Sequence, residues 1–456
     1  MPGQESRFPM GFDANTERAL TALERVAAIW QGRIDNGWMP PMESTFPWAQ
    51  VRLSLAALLP GMRGARGWVE RVASFPPSAS FPPSPPNPLS PRAGEKGGAP
   101  NAGGANVAPA GETPTSPTPP FSPARGERGL GGEGGNGALT ATLILAGNTP
   151  LLAWSPLCAC LLAGVGAVRV KLSRDETVWT RLFIDSLREA NPTLAGRVAL
   201  YDFPGEDERT YALLQDADAV IAYGADAAIN ALRSRTPPGV PFFGFGHAVS
   251  IALRMPGCAR SGVDYTAGFA QDVLMFQQSG CLSPHVIYDF CEEATLAGRF
   301  GAKQLPRSLD QLAYTLDVPP IRDAASAIKV QEARDIALFS GGDVTRGYAL
   351  RWTTIVTNDP TPYPVPVGHG VIYVSPVESS EQLRELLQPV WGIVSCAAVA
   401  GELSPEWEAV LRDAGVSRIC KPGEMQTPPL DWQNGGRDLL AELRGIGLAR
   451  QNYNGP

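Results

Sequence analysis

Two kinds of hydrophobic spacing run through this chain, and an interval with neither separates them. In residues 15–34, NTERALTALERVAAIWQGRI, apolar positions recur every three or four residues. That spacing predicts a helix with Asn15 as its cap and Glu17 in the first turn. A second helical stretch, about 48–73, follows a proline-rich turn. From Ala138 onward, short apolar runs alternate with helical spacing. LTATLILAG, AVRVKLS, GRVALYDF, DAVIAYG and VPFFGFG are predicted strands. Between them LLAWSPLCACLLAG, ETVWTRLFIDSLREANP, DERTYALLQDA and DAAINALRSR are predicted helices, the first either kinked at Pro156 or starting there with Ser155 as cap. YTAGFAQDVLMFQQSG is predicted helical up to Gly280, with HVIYDF following as a strand. GVIYVSPV, SEQLRELLQPV, WGIVSCAAVAG and SPEWEAVLRDAG continue the alternation. Apolar strands set between helices imply parallel sheets covered on both faces, and the economical architecture is α/β, two α/β/α domains facing a cleft.

The interval, Phe75 to Gly137, holds 15 prolines and 13 glycines in 63 residues, and PLSPRAGEKGG and PFSPARGERGL within it are near copies. Such a composition cannot bury enough apolar area to offset its ordering entropy, so the segment is expected to be disordered. It reads as a tolerated insertion at a surface loop, or alternatively as a proline-rich ligand. The expected organisation is therefore an N-terminal helical segment (1–74), the insert (75–137), a dinucleotide-binding domain (138–262), a catalytic α/β domain (263–430) and a C-terminal segment (431–456).

Composition narrows the function by exclusion. A net charge of −7, with no lysine and arginine cluster to track a phosphate backbone, argues against nucleic acid. Seven scattered cysteines do not form a disulfide framework, and three isolated histidines (His247, His285, His369) make a metal site unexpected. Gly134 to Val168 carries no charge, long enough to cross a bilayer, but GNTP and Pro156 interrupt it as a strand, turn and helix would. The first residues lack an apolar signal-peptide core, so the cytoplasm is the expected location. G-x-S-x-G, G-x-x-x-x-G-K-[ST] and a full G-x-G-x-x-G are all missing.

What remains is a thiol. FQQSGCLSPH, Phe276 to His285, holds Cys281 between a glycine and a Ser-Pro turn. A thiolate is a strong nucleophile, so Cys281 is a candidate nucleophile, with His285 close by in sequence either as an acid or base or as a packed or exposed histidine. Cys158, Cys160, Cys258, Cys291, Cys396 and Cys420 are expected to be core, and Glu292 and Glu293 solvated.

The order GNTP, apolar helix, VKLSRDE, AYGADAAINAL, QQSGCLSPH, closing with SRICKPGEM and DWQNGGRDLLAEL, resembles the aldehyde dehydrogenase superfamily. More closely it is similar to the acyl-CoA reductase family of bacterial luminescence (fatty acid reductase) systems, from about Gly134 to the end. The resemblance implies a cysteine nucleophile at Cys281 and an oxyanion-donating asparagine at Asn148, with the Cys281 N–H as second donor. It also implies a ribose-binding lysine at Lys171 with Ser173 beside it, and a cofactor-side glycine at Gly224.

Two departures refine this picture. The hydrolytic members' glutamate base falls on Gly244 within GFGHAVS, which suits exchange with coenzyme A over release of a free acid. Arg174 stands where a glutamate holds the ribose hydroxyls of many NAD-preferring relatives, and a guanidinium attracts a 2′-phosphate. The implied activity is NADPH-dependent reduction of a fatty acyl-CoA, or acyl-protein, to an aldehyde. The implied partners are an acyl-activating synthetase and further copies of the chain. A CoA-acylating aldehyde dehydrogenase acting on a short aldehyde, or a silent acyl carrier, are the alternatives.

Overall fold

The computed structural model describes residues 12–41, 44–74, 138–174, 177–256, 258, 263–290 and 300–453. The proline- and glycine-rich insert, Cys291, Glu292 and Glu293 lie outside the described residues.

Five parallel strands form the first sheet: β1 Thr140–Ile144, β2 Ala167–Lys171, β3 Val198–Tyr201, β4 Ala219–Tyr223 and β5 Phe242–Phe245. Their order is β3-β2-β1-β4-β5, so the chain reverses its direction of travel across the sheet between β1 and β4. Loops after those two strands diverge, which opens a crevice outside the carboxyl ends of the strands. The apolar runs of β1 and β4 are buried along nearly their whole length, as strands covered on both faces must be.

A second sheet follows, with β6 Val249–Arg254, β7 Pro284–Asp289, β8 Asp343–Arg346, β9 Thr353–Val356, β10 Val371–Pro376, β11 Val394–Ala400 and β12 Arg418–Cys420. Their order is β12-β11-β6-β7-β10-β9-β8, and only the edge strand β8 runs antiparallel. Because β6 pairs with β11 and β7, the passage from first to second sheet falls between Phe245 and Val249. The expected domain boundary at 262 is thus too late by a whole strand.

The first and last described helices pack onto the first sheet's layer. The helix Ala14–Asp35 places Trp30 in the core, its ring 5.3 Å from Trp154 and 6.1 Å from Trp179. Leu440 and Leu443 of the helix Leu439–Tyr453 join the same cluster. Asp13, not Asn15, caps the first helix, its carboxylate accepting from the N–H groups of Asn15 and Thr16. The stretch expected at 48–73 divides at Gly64 into helices Trp48–Arg63 and Ala65–Ser74. Ser155 caps nothing. Its hydroxyl, in the first turn of Trp154–Leu162, donates to the Leu430 carbonyl instead.

Candidate active site

The helix leading to Cys281 stops six residues before its expected end. It spans Thr266–Leu274 and gives way to a tight turn in which Phe276, Gln277 and Gln278 hold φ of 52°, 52° and 59°. Three consecutive left-handed side-chain-bearing residues cost about 1–2 kcal/mol each, so the surroundings must hold them. Gln50 accepts from the Phe276 N–H at 2.7 Å and donates to the Leu316 carbonyl. The His369 N–H donates to the Gln277 carbonyl, and the buried Gln278 amide donates to the carbonyls of Pro284 and Val371. The turn carries the chain out of the helix axis, so the anion-disfavouring helix terminus does not lead directly into Cys281.

Both sheets contribute to fixing the thiol loop. Asn148, in the loop after β1, donates its amide to the Ser279 carbonyl at 2.8 Å. From the other side, the buried Ser250 hydroxyl of β6 donates to the Cys281 carbonyl at 2.7 Å. Gln426 donates to Ser283 at 2.6 Å. Gly280 fits only because it lacks a side chain: a Cβ there would stand 2.8 Å from Thr149 Cγ2. Cys281 itself is half-buried at the seam. Burial pushes its thiol up to about 11, with its own backbone N–H opposing and the nearby Cys396 adding to the rise. Asn148 is exposed at the same seam, where the crevice of the first sheet meets the loop of the second.

The residues expected to hold a dinucleotide lie at the carboxyl edge of the first sheet. Lys171 ends β2, 5% exposed, with its ammonium over the Phe203 ring at 5.9 Å. Burial lowers its pKa while Glu206 and Asp202 oppose. Ser173 is half-buried and Arg174 exposed just beyond. Arg174 meets Glu206 at 3.5 Å, both side chains largely in solvent, so that pair contributes little and is open to competition. Gly224 follows β4, and a Cβ there would touch only Ala228, at an ordinary 3.7 Å. Nothing in the protein's own packing demands glycine at that turn, whose N–H donates to the Phe245 carbonyl at 3.2 Å.

Gly244 is not the vacant place of a base. A Cβ on it would lie 2.8 Å from Ile229 and 3.2 Å from the Arg233 guanidinium, so a side chain at 244 would run under the helix Asp226–Arg235. The neighbouring position does the opposite. Phe245 stacks on Tyr223 at 4.7 Å, and the Tyr223 phenol, bonded to Asn434, feels the charge of Cys281. Burial keeps that phenol protonated. Spacing drew attention to neither Tyr223 nor Ser250, because nothing in a β4 terminus or a strand serine marks its distance from a thiol 58 or 31 residues along. Pairs of sheet-end residues flanking the switch point were the available signal.

His285 is the second residue of β7, buried, with its Nδ1 lacking a partner among the described residues. Burial and the charge of His247 hold its pKa down at about 4, so it carries no extra proton to give at neutrality. His285 is thus not electrostatically isolated as expected, since the charge of His247 adds to the lowering of its pKa. The ring's ordinary pKa in an unfolded chain is near 6.5. Folding therefore favours the neutral ring, with stability fully present above pH about 6.5 and lost as pH falls toward 4. The loss is at most about 1.4 kcal/mol per pH unit. Urea melts at pH 7 and pH 5 should differ by about 2 kcal/mol less in His285→Gln than in wild type.

Among the described residues no three His, Cys, Asp or Glu side chains group as a metal site. No described helix is long and apolar enough to cross a membrane.

A parallel sheet with a switch-point crevice, its β1 loop bonded to a cysteine loop of a second sheet, defines an aldehyde dehydrogenase-like fold. Solved structures agree on the fold. An indole-3-acetaldehyde dehydrogenase of P. syringae, solved with NAD+, matches 90% of this chain and 76% of its own at a TM-score of 0.58 and 14% identity. The aldehyde dehydrogenase KauB of Pseudomonas aeruginosa matches 94% of this chain and 80% of its own at 0.60 and 13%. Sequence carries the assignment further: the profile of the acyl-CoA reductase (LuxC) family matches residues 137–443, and the chain belongs to that family. The long-chain acyl-protein thioester reductase of Aliivibrio fischeri is 24% identical over 287 residues, 61% of this chain and 57% of that protein. The chain spans about half the length of the curated relatives it matches.

Proposed function

We propose that this protein reduces a long-chain acyl thioester to the fatty aldehyde with NADPH, through an acyl group carried on Cys281. The observation that carries the reading is the Asn148–Ser279 bond, which ties the loop of the crevice to the loop of the thiol. The relatives' names point to an acyl-protein thioester as donor. Coenzyme A presents the same reacting group, and an acyl-activating synthetase is the natural supplier of the protein-borne form.

The residues fit a dinucleotide. Lys171 is buried at the sheet edge with its ammonium free of a salt bridge among the described residues, and Gly224 follows β4 at the switch point with no side chain to block an approach. Bound there, a reduced nicotinamide supplies the hydride. The chain's own residues do the rest. The Cys281 thiolate attacks the thioester carbonyl, and the C–S bond to the donor breaks with release of the donor thiol. The Asn148 amide and the Cys281 N–H stabilise the oxyanion in that step and again in the hemithioacetal after reduction. Collapse breaks the Cys281 C–S bond and frees the aldehyde. One thioester, one hydride and one proton give one aldehyde and one thiol.

The test is mass spectrometry after incubation with long-chain acyl-CoA and no NADPH, then again after NADPH is added. A one-acyl increase on the Cys281 peptide that disappears as aldehyde forms is the expected result. An increase that persists would leave only a carrier. Cofactor choice gives a separate prediction. A 2′-phosphate competes with the solvated Glu206 for Arg174, a charge-assisted bond of about 1.5–3 kcal/mol. Arg174→Ala should therefore raise KM for NADPH about 10- to 100-fold while leaving the NADH value within about threefold.

A further inference from the structure

The turn after β12 and the helix that leads to the thiol meet through a buried carboxylate. Asp272 belongs to the helix Thr266–Leu274 and has no exposed surface. Its two oxygens accept from the backbone N–H groups of Gly423 at 2.6 Å and Met425 at 3.0 Å. Two glycines allow so close a contact: a Cβ on Gly268 would stand 2.3 Å from the Pro422 carbonyl oxygen, and Gly423 holds φ of +94° against Gly268. Gln271 donates to the Gly423 carbonyl, and Arg418 of β12 donates to the carbonyls of Glu424 and Met425. Next along the chain is Gln426, itself buried. Its amide donates to the Ser283 hydroxyl at 2.6 Å, and its Oε1 stands 3.4 Å from the place of a Cβ on Gly280. Gly280 and Ser283 close a turn, with the Ser283 N–H donating to the Gly280 carbonyl at 3.0 Å, and Cys281 lies inside it. One side chain braces both ends of the loop that presents the thiol.

We propose that Asp272 and Gln426 are positioning residues for the Cys281 thiol, the carboxylate seating the turn at Gly423–Met425 and the amide passing that fixed place on to the loop. This rests on the reading of Cys281 as the acyl acceptor. Ionised, Asp272 offers a charged acceptor to each N–H. Protonated, it gives up the charge that strengthens both bonds and carries a proton on one of the two oxygens. Burial pushes this carboxyl up to about 7, with the two N–H bonds and Arg418 opposing and Glu424 adding to the rise. Facing it are Arg418 from β12, Glu424 from the turn and Cys420 at the end of β12. The brace is therefore firm above about pH 7 and loosened below it. Folding raises the carboxyl above its ordinary 3.8, so ionising it lowers stability as the pH climbs from about 4 through 7. Above neutrality the protein holds its thiol in place at the expense of some stability.

Two rates separate this proposal from the one it rests on. Acylation of Cys281 by long-chain acyl-CoA and its alkylation by iodoacetamide are followed by peptide mass from about pH 5.5 to pH 9. The loop also sets the Cys281 N–H against its own sulfur, so loosening it lowers the thiolate fraction and slows both reagents. Wild type should show a step near pH 7 in both rates, on top of the rise from thiol ionisation. Asp272→Asn should lose the step and react about 10- to 100-fold more slowly at pH 8, the effect of a misplaced nucleophile. At pH 5.5 it should stay within about threefold of wild type, which is by then protonated itself. Its melting temperature at pH 8 should equal or exceed that of wild type, whereas a purely structural carboxylate would lose rate and stability together. Gln426→Met leaves Asp272 in place and should lose the step as well, and adding Asp272→Asn to it should slow the thiol no further. A step that persists in Gln426→Met, equal rates at pH 8 in wild type and Asp272→Asn, or a melting temperature that falls along with a pH-independent loss of rate would each overturn the proposal while leaving a cysteine-based reductase intact. If acyl-CoA never labels Cys281, the function fails, and the alkylation profiles still decide whether Asp272 and Gln426 position the thiol.

Discussion

Cys281→Ala is expected to remove turnover by about 10⁵-fold or more, the loss typical of deleting a covalent nucleophile, together with every trace of the acyl adduct. The variant should fold: Cys281 is half-buried, and loss of one thiol at such a place changes stability by about 1 kcal/mol or less. The sharper comparison is with Cys396, fully buried behind it, whose sulfur lies 3.8 Å from that of Cys420. Cys396→Ala should keep the adduct and most of the turnover, since that thiol has no path to a donor. Stopped-flow release of free thiol from acyl-CoA, with and without NADPH, separates acylation from reduction in each variant. An adduct that survives in Cys281→Ala would move the chemistry to another sulfur and undo the assignment. Cys281→Ser is a useful intermediate. Its hydroxyl fits the same space but ionises far less readily, so an ester should form slowly, if at all, and resist reduction.

The parallel strands flanked by helices were legible because each is a short apolar run with a turn on either side. β6 was not. VSIALR follows VPFFGFG so closely that local spacing could not detach it, and only its pairing with β11 and β7 assigns it to the second sheet. β8, Asp343–Arg346, has too little apolar content to register as a strand at all. Helical spacing ran on through MFQQSG because periodicity cannot see Gln50 and His369 holding the turn from far along the chain. The site divides the same way. Cys281 and Asn148 sit in local motifs, and the fold brings their two loops together through the Asn148–Ser279 bond. Gly244 was misplaced because residue counting says nothing about which face of β5 a side chain leaves.

Asn148→Ala should lower the rate of acylation by about 10²–10³-fold, the loss of one oxyanion donor, yet Asn148 has two duties. A carboxamide carries two N–H groups, and one is engaged with the Ser279 carbonyl, so the substitution also loosens the loop that presents the thiol. The two contributions can be pulled apart by reagent. Thioester attack builds an oxyanion, whereas alkylation by iodoacetamide displaces iodide and builds none. Loop disorder slows both; a missing donor slows only the first. Asn148→Ala should therefore acylate 10²–10³-fold more slowly while its alkylation stays within about threefold of wild type. Asn148→Asp should acylate more slowly still, because its carboxylate sets a negative charge where the oxyanion forms. Matched losses with both reagents would make Asn148 a tether for the loop and leave the Cys281 N–H without its partner in the oxyanion site.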